Sequence, residues 1–493
     1  MSYDYIRLDT ASLYRGATGG AKILDLLWGD RVEVLTTSGP RRRVKARGRT
    51  GYVKRTALGG RALLEVYFID VGQGDGVLIV TPDRRHVLID GGYNRAKQPT
   101  GKNAADFVDW KFAKDYGAAR IELDAMIASH CDADHYGGLW DLLNPAETHE
   151  LDLTDVRVDA FYHVGVSWWK GPSGRWLGPK GSRDGEQFLK QLLGARTSVE
   201  RALRDGADPA LQGEWAKFLR CVVDARRRDG QPCDIQRLST SDRYLPGFEP
   251  GGSDTTLKVL APVEFRVDHR PAVRSFGGTS QNSNGNSVLL RLDYGAARIL
   301  LTGDLNKKSQ MALRSDYAGQ RLEFQCDVAK SCHHGSRDIS YCFLQDMAPA
   351  VTVISSGDCE GHDHPRPNIV AASATTGHLE VVNDEMVSPL VYSTELARSL
   401  NLGRPVGLSA PNGDEGTLGF PEEQLGAVKV DLEVTKAGDL RPSRRQRRLG
   451  NSLVVAGVIY GLVNVRTDGR KIVCATMDEK DYTWNLHTLM SRF

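Results

Sequence analysis

The chain has 493 residues, 40% of them apolar and 26% charged, with a formal net charge of +2. This length predicts two or three domains, and the composition builds a core and excludes wholesale disorder. A charge of +2 excludes a uniformly basic coat, so contact with a polyanion must come from local patches. The start, Met1-Ser2-Tyr3-Asp4, shows no basic segment followed by an apolar run. The stretch Leu453 to Val463 is broken by Gly457 and Gly461. It falls short of the about 20 residues that a bilayer span needs. A cytoplasmic protein with no membrane contact is the expectation. The eight cysteines include no C-x-x-C pair and are expected as free thiols.

Residues 1–60 read as a separate small β-domain, with strand-like runs at Lys22 to Leu27 and Arg31 to Leu35 between Gly and Pro turns. Gly29-Asp30-Arg31-Val32-Glu33-Val34, followed by Gly51-Tyr52-Val53-Lys54, resembles the bacterial Src-homology-3-like barrel. That resemblance implies a docking module for a protein, a peptide or a wall fragment. Buried strands are predicted at Leu63 to Ile69, Gly76 to Val80 and Val87 to Asp90, then at Ala125 to Ala128, which runs into Ser129-His130. Residues 166–280 read as a helical insertion. Phe188, Leu189, Leu192, Trp215, Phe218, Leu219 and Val222 are taken as its apolar helix faces. Strands resume at Ser287 to Leu292 and Ile299 to Thr302. A β-rich extension is expected over 401–493, with a basic run from Arg441 to Arg448.

The densest chemistry is Ser129-His130-Cys131-Asp132-Ala133-Asp134-His135-Tyr136-Gly137-Gly138. Four imidazole and carboxylate groups within six residues, at a strand end, suit zinc, manganese or iron. Carboxylates buried this close would repel unless a cation neutralised them. The reading of the loop alone lets His130 and Asp132 reach one ion, and Asp134 and His135 a second.

This loop resembles the H-x-[HD]-x-D-H motif of the metallo-β-lactamase superfamily. Asp132 in the second position is similar to the branch that includes the domain of ComEC-type competence proteins; bacterial phosphorylcholine esterases of teichoic acid are similar. Further motifs follow in order: Phe68-Ile69-Asp70-Val71-Gly72-Gln73-Gly74-Asp75, Leu88 to Gly92, Asn284 to Leu290, Leu300 to Asp304, Lys330 to Ser336, and His364-Pro365. The resemblance spans about residues 63 to 380 and implies an α/β fold, an αββα sandwich over residues 61–400. It implies two divalent metal ions, zinc or manganese, held by His130, Asp132, Asp134, His135, Asp304 and His334. His333 is then left to contact substrate or to support the ligands. His364 is open as a ligand, a general acid or a phosphate contact. Asp75 and Asp90 are expected to orient ligands. Many relatives carry another His before the bridging Asp, where this chain has Asn286 and Ser287; His163 is the one other candidate for that gap.

Two ions in such a centre would activate water and clamp a phosphate. Asp134, His333 and His364 are the expected catalytic groups, with Lys330, Arg337 or Arg366 against phosphate oxygens. The resemblance puts phosphodiesters first as substrates. The runs Arg41 to Arg49, Arg226 to Arg228 and Arg441 to Arg448 favour nucleic acid, and Trp168 and Trp169 could stack bases. A phosphodiesterase acting on a small nucleotide or phospho-ester is the alternative. A non-enzymatic metal-containing binding protein is the third reading.

Overall fold

The computed structural model describes residues 2–36, 39–98, 101–172, 174–357, 364–394, 399–412, 416–434, 443–451, 454–459, 462–478 and 482–493. Cys359, His362 and Arg441 lie outside them. The chain divides into two compact units, Met1–Ala397 with Gly461–Phe493, and Arg398–Tyr460. Among its described residues the smaller unit holds three antiparallel strand pairs: Ser399–Gly403 with Val454–Ile459, Gly407–Pro411 with Thr417–Pro421, and Lys429–Val434 with Ser443–Arg448.

The larger unit is built on two facing sheets. The first runs Asp234–Arg237, Val156–His163, Ile121–Ala128, His86–Ile89, Val77–Val80, Leu64–Ile69, Leu462–Thr467, Lys471–Asp478 and Thr483–Met490 in spatial order. The second runs Thr255–Ala261, Leu289–Tyr294, Ala297–Leu301, Val328–Lys330, Val351–Ile354 and Leu390–Ser393. Side-chain alternation explains the layering. In the second sheet Leu290, Leu292, Ile299, Leu301 and Val328 face the main core between the sheets. Their neighbours Leu289, Leu300 and Ala329 face outward, onto Leu313, Phe324, Phe343 and Leu344. Beyond the first sheet, Phe107, Val108, Leu139 and Leu142 come from helices Ala104–Trp110 and Ala133–Leu143. The result is the expected helix–sheet–sheet–helix sandwich.

Residues 2–54 form a six-stranded antiparallel sheet around a core of its own that includes Ile6, Leu13, Leu26, Val32, Val44 and Val53. It packs on the first large sheet through Leu27, Trp28, Leu63, Val473, Ala475 and Trp484. Arg466, fully buried, joins the two. It meets Asp30 at 2.8 Å and Glu65 at 3.4 Å and donates to the carbonyl of Trp28 at 2.5 Å.

Two regions differ from the sequence expectation. The stretch expected as an extension is split: 398–460 is a unit, while Leu462–Met490 supplies three strands to the first sheet. The insertion carries more strand than helix. Helices Arg196–Ala202 and Gly213–Asp224 form, and the second buries Trp215, Phe218, Leu219 and Val222. Phe188 and Leu189 instead lie in the strand Glu186–Leu189. Asp234–Arg237 and Thr255–Ala261 belong to the core sheets. Charge density and short apolar runs resemble helix in composition, but pairing with strands elsewhere overrides that preference. Among the described residues no helix is long and apolar enough to cross a membrane. All seven described cysteines are free.

Candidate metal centre

The chemistry-bearing residues gather where parallel strands end, the place where α/β sheets open a crevice. Asp90 follows His86–Ile89, and Ser129 to Asp132 follow Ile121–Ala128. From the facing sheet come Asp304 after Ala297–Leu301, and His333 and His334 after Val328–Lys330. The loop is held tightly. A Cβ on Gly138 would lie 2.2 Å from the carbonyl oxygen of Gly91, and one on Gly74 would lie 1.9 Å from that of Asp134. These positions therefore require glycine, which explains both the Gly pair after the loop and the Gly-rich turn before it.

His135 and His334 are fully buried. His135 Nδ1 donates to Asp90 Oδ2 at 2.8 Å, and Asp90 Oδ1 accepts the Ser129 N–H at 2.7 Å. His334 Nδ1 donates to the Ser355 carbonyl at 3.1 Å, with Asp75 Oδ1 at 3.2 Å. Both rings are thus turned so that Nε2 faces Asp304 Oδ2, at 3.2 Å from His135 and 3.0 Å from His334. Neither Nε2 has a hydrogen-bond partner among the described residues. One donor atom from each of Asp134, His135, Asp304 and His334 lies within 4.8 Å of the others. Two anchored imidazoles and two carboxylates, with buried unsatisfied nitrogens aimed inward, fit a divalent cation.

His130 stands beside this group, its ring centroid 3.9 Å from that of His135. Ser129 Oγ and Ser287 Oγ lie 3.1 and 3.3 Å from its Nδ1, and its Nε2 is 3.7 Å from Asp132 Oδ2. The gap in this second set is not filled by Asn286, which donates to the carbonyls of Arg274 and Asn282. Nor is it filled by His163, whose Nε2 donates to the Gly194 carbonyl while its Nδ1 accepts the Gly165 N–H. Burial takes the His163 pKa down to about 4, the mark of a neutral core imidazole. Asn284, which ends the helix before this strand, is the residue that arrives. With its carboxamide set to satisfy both neighbours, it donates to Asp132 Oδ2 at 3.0 Å and accepts from His333 Nε2 at 3.2 Å. The N-x-x-S motif held that signal at its first position rather than its middle.

A strand continued past Lys330 would point His333 and His334 to opposite sides, and this does not occur. Both adopt left-handed φ, 48° and 53°, followed by Gly335 at 78°. This turn sets the two ring centroids 6.0 Å apart on the same side. His333 is 23% exposed at the mouth, with Nε2 3.9 Å from Asp304 Oδ2. His364 comes in from the next loop, its ring centroid 5.8 Å from His333 and 6.4 Å from His334.

Lys330 is not available to a phosphate. It is 2% exposed, pairs with Asp75, donates to the Gly303 carbonyl at 3.0 Å and lies 3.7 Å from Asp304 Oδ1. Arg337 is exposed and Arg366 half-buried. Trp168 and Trp169 are buried. Trp168 Nε1 donates to the Cys131 carbonyl at 2.7 Å and so braces the loop from the insertion. Two arginines of the 226–228 run are held in ion pairs, Arg227 with Asp234 at 2.9 Å and Arg228 with Asp124 at 2.6 Å.

The electrostatics report a strongly negative pocket. Burial opposes charge on His334, but Asp304 and Asp75 outweigh it and lift its pKa to about 9. Burial likewise opposes charge on His135, and Asp304, Asp90 and Asp134 outweigh it, raising its pKa well above the usual value. His130, desolvated and facing His135, falls to about 4. A His334 pKa raised from 6.5 to about 9 stabilises the protonated fold below 6.5, and this contribution is lost as pH rises through 9. In chelator, the melting temperature is therefore expected to fall between pH 6.5 and 9. Thermal scans across this range check it, and a rising midpoint would contradict it. Over the same range metal affinity should rise, because a ligating imidazole must give up its proton.

Residues 69–197 match the metallo-beta-lactamase superfamily. ComE operon protein 3 of Bacillus subtilis is 22% identical over 317 residues, 62% of this chain and 30% of that one. Competence protein ComA of Neisseria gonorrhoeae is 36% identical over 85 residues, 17% of this chain and 12% of that one. The chain thus spans less than a third of the length of either relative. A metallo-beta-lactamase fold protein of Bacillus subtilis, YhfI, covers 67% of this chain and 97% of its own at 11% identity and a TM-score of 0.31. The chain carries a domain of the metallo-β-lactamase superfamily, whose members are generally hydrolases, and the two curated relatives support the ComEC-type branch of that superfamily.

Proposed function

We propose that this centre is a metal-dependent phosphodiesterase whose substrate is nucleic acid. The observation that carries the reading is the convergence of His135 and His334 Nε2 on Asp304, beside Asp134. Asp134, His135, Asp304 and His334 would hold a divalent ion, and His130 with Asp132 a second. Bound ions supply Lewis acidity, lowering the pKa of water and stabilising charge that develops on phosphate oxygens.

The chain's own residues have separable tasks. Asp90, Ser355 and Asp75 fix the tautomer and direction of the two buried imidazoles. Ser287 Oγ accepts the Asp304 N–H at 3.1 Å and so fixes the main chain from which that carboxylate projects. His333, at the mouth and bridged to Asp132 by Asn284, is placed to give a proton to a leaving oxygen. Burial lowers its pKa from 6.5, with Asp304 acting against the shift. His364 faces the same opening. Asp132 makes the centre richer in oxygen than a His would, which favours manganese beside zinc. The name of one curated relative, competence protein ComA, fits a nucleic-acid substrate.

The test compares plasmid DNA with a small chromogenic diester, each with manganese, magnesium and zinc. Metal-dependent cleavage of plasmid is expected, and Asp132→Ala with Asp134→Ala should abolish it. Turnover of the small diester alone would move the assignment to a small phospho-ester. Biological activity retained in full by the double variant would sink the enzymatic reading.

A further inference from the structure

A cavity of about 880 Å³ opens on the insertion, away from the metal centre. Its rim is basic: Lys190, Arg201, Arg204, Arg237 and Arg270 stand against Asp205 and Asp208. Two of these cations are engaged, Arg237 with Glu264 at 2.6 Å and Lys190 with Asp268 at 2.8 Å. Arg201, Arg204 and Arg270 are exposed, and their guanidinium groups form no ion pair among the described residues. Its floor is apolar: Pro179 and Pro209 are exposed and Leu192 and Pro271 half-buried, over the nearly fully buried Trp169, Leu193 and Ala202. A neighbouring cavity of about 480 Å³ shares Gly194 and Arg237 and prolongs the groove past Arg196.

The groove is tied to the centre. Leu193 N–H donates to the Gly165 carbonyl at 2.7 Å, and His163 Nε2 donates to that of Gly194 at 3.0 Å. These bonds fix the floor to the end of Val156–His163, the strand paired with the one that carries the metal loop. Trp169 adjoins Trp168, which holds the Cys131 carbonyl.

We propose that this groove binds a single-stranded polyphosphodiester, with the backbone on Arg201, Arg204 and Arg270 and the bases against the apolar floor. Three unpaired guanidinium groups on one rim gain by releasing the counterions of a phosphate chain. A duplex keeps its bases stacked inside, whereas a single strand can lay them on an apolar surface. This site rests on the phosphodiesterase reading and names how that centre would be supplied with a strand.

The experiment measures fluorescence anisotropy of a labelled 20-nucleotide DNA strand with the full chain in chelator, so nothing is cleaved. Arg201→Ala, Arg204→Ala and Arg270→Ala together should weaken binding at least tenfold. The slope of log affinity against log salt should fall by about 2, from three contacts at about 0.7 each. The corresponding triple Lys variant should recover most of the affinity. A triple Ala variant that binds as the parent does overturns the site, as does a Lys variant no better than the Ala variant. An unlabelled duplex should compete at least tenfold less well than the strand; equal competition overturns the single-strand assignment. Because binding is read without turnover, a centre that cleaves no diester would remove the catalytic reading while leaving the groove standing. A nuclease whose strand binding ignores the three arginines would do the reverse.

Discussion

Asp304→Asn should reduce both manganese affinity and kcat/KM by more than about a hundredfold. Loss of a group that merely orients a ligand costs about 10–100-fold, and Asp304 does more than orient. Its Oδ2 is the common point of His135 Nε2 and His334 Nε2, and its Oδ1 faces Lys330. The asparagine keeps the shape and removes the charge, leaving two imidazoles aimed at a neutral amide. Equilibrium dialysis against manganese, with diester turnover at saturating metal, reads the two effects separately. A variant that retains its full metal complement would contradict the placement of Asp304 at the heart of the centre.

Arg466→Met should cost stability on the order of 3–5 kcal/mol, the range for breaking a buried ion pair by removing one partner. The guanidinium is fully buried between Asp30 of the N-terminal sheet and Glu65 of the first large sheet. Methionine fills much of the volume but leaves the carboxylates to other cations. Asp30 keeps Arg47 at 2.8 Å, and Glu65 keeps Lys111 at only 3.7 Å. Trp28 and Trp484 flank this junction, so tryptophan emission in a urea titration reports on it. An unchanged midpoint would show that the N-terminal sheet does not depend on the pair.

The parts of the centre legible in the sequence are those packed closely along the chain. His130, Asp132, Asp134 and His135 occupy one strand end, where the repulsion of buried carboxylates already calls for a cation. Asp304 and His334 were reached only through the resemblance, because nothing local ties them to a loop so far away. The turn at His333 was illegible: strand alternation assumes extended φ, and two left-handed histidines put both rings on one side. In the sequence Lys330 reads as a phosphate contact because the motif does not reveal burial, and its pairing with Asp75 crosses between the two sheets. Asn284 was missed because a carboxamide carries no metal-ligand signature. The sandwich followed from strands whose apolar alternation is visible. The place of Leu462–Thr467 did not, since alternation marks a strand without naming its partner.

That strand has a consequence for synthesis. Leu64–Ile69 sits inside the first sheet, and one of its two neighbours is Leu462–Thr467, through which Arg466 reaches Tyr67, 399 positions earlier. At about 5–20 residues per second, the ribosome takes roughly 20–80 s to supply it. For that interval an apolar strand offers an open row of N–H and C=O groups to any neighbouring chain. The nascent protein thus carries a template for mispairing until Leu462–Thr467 has emerged and paired.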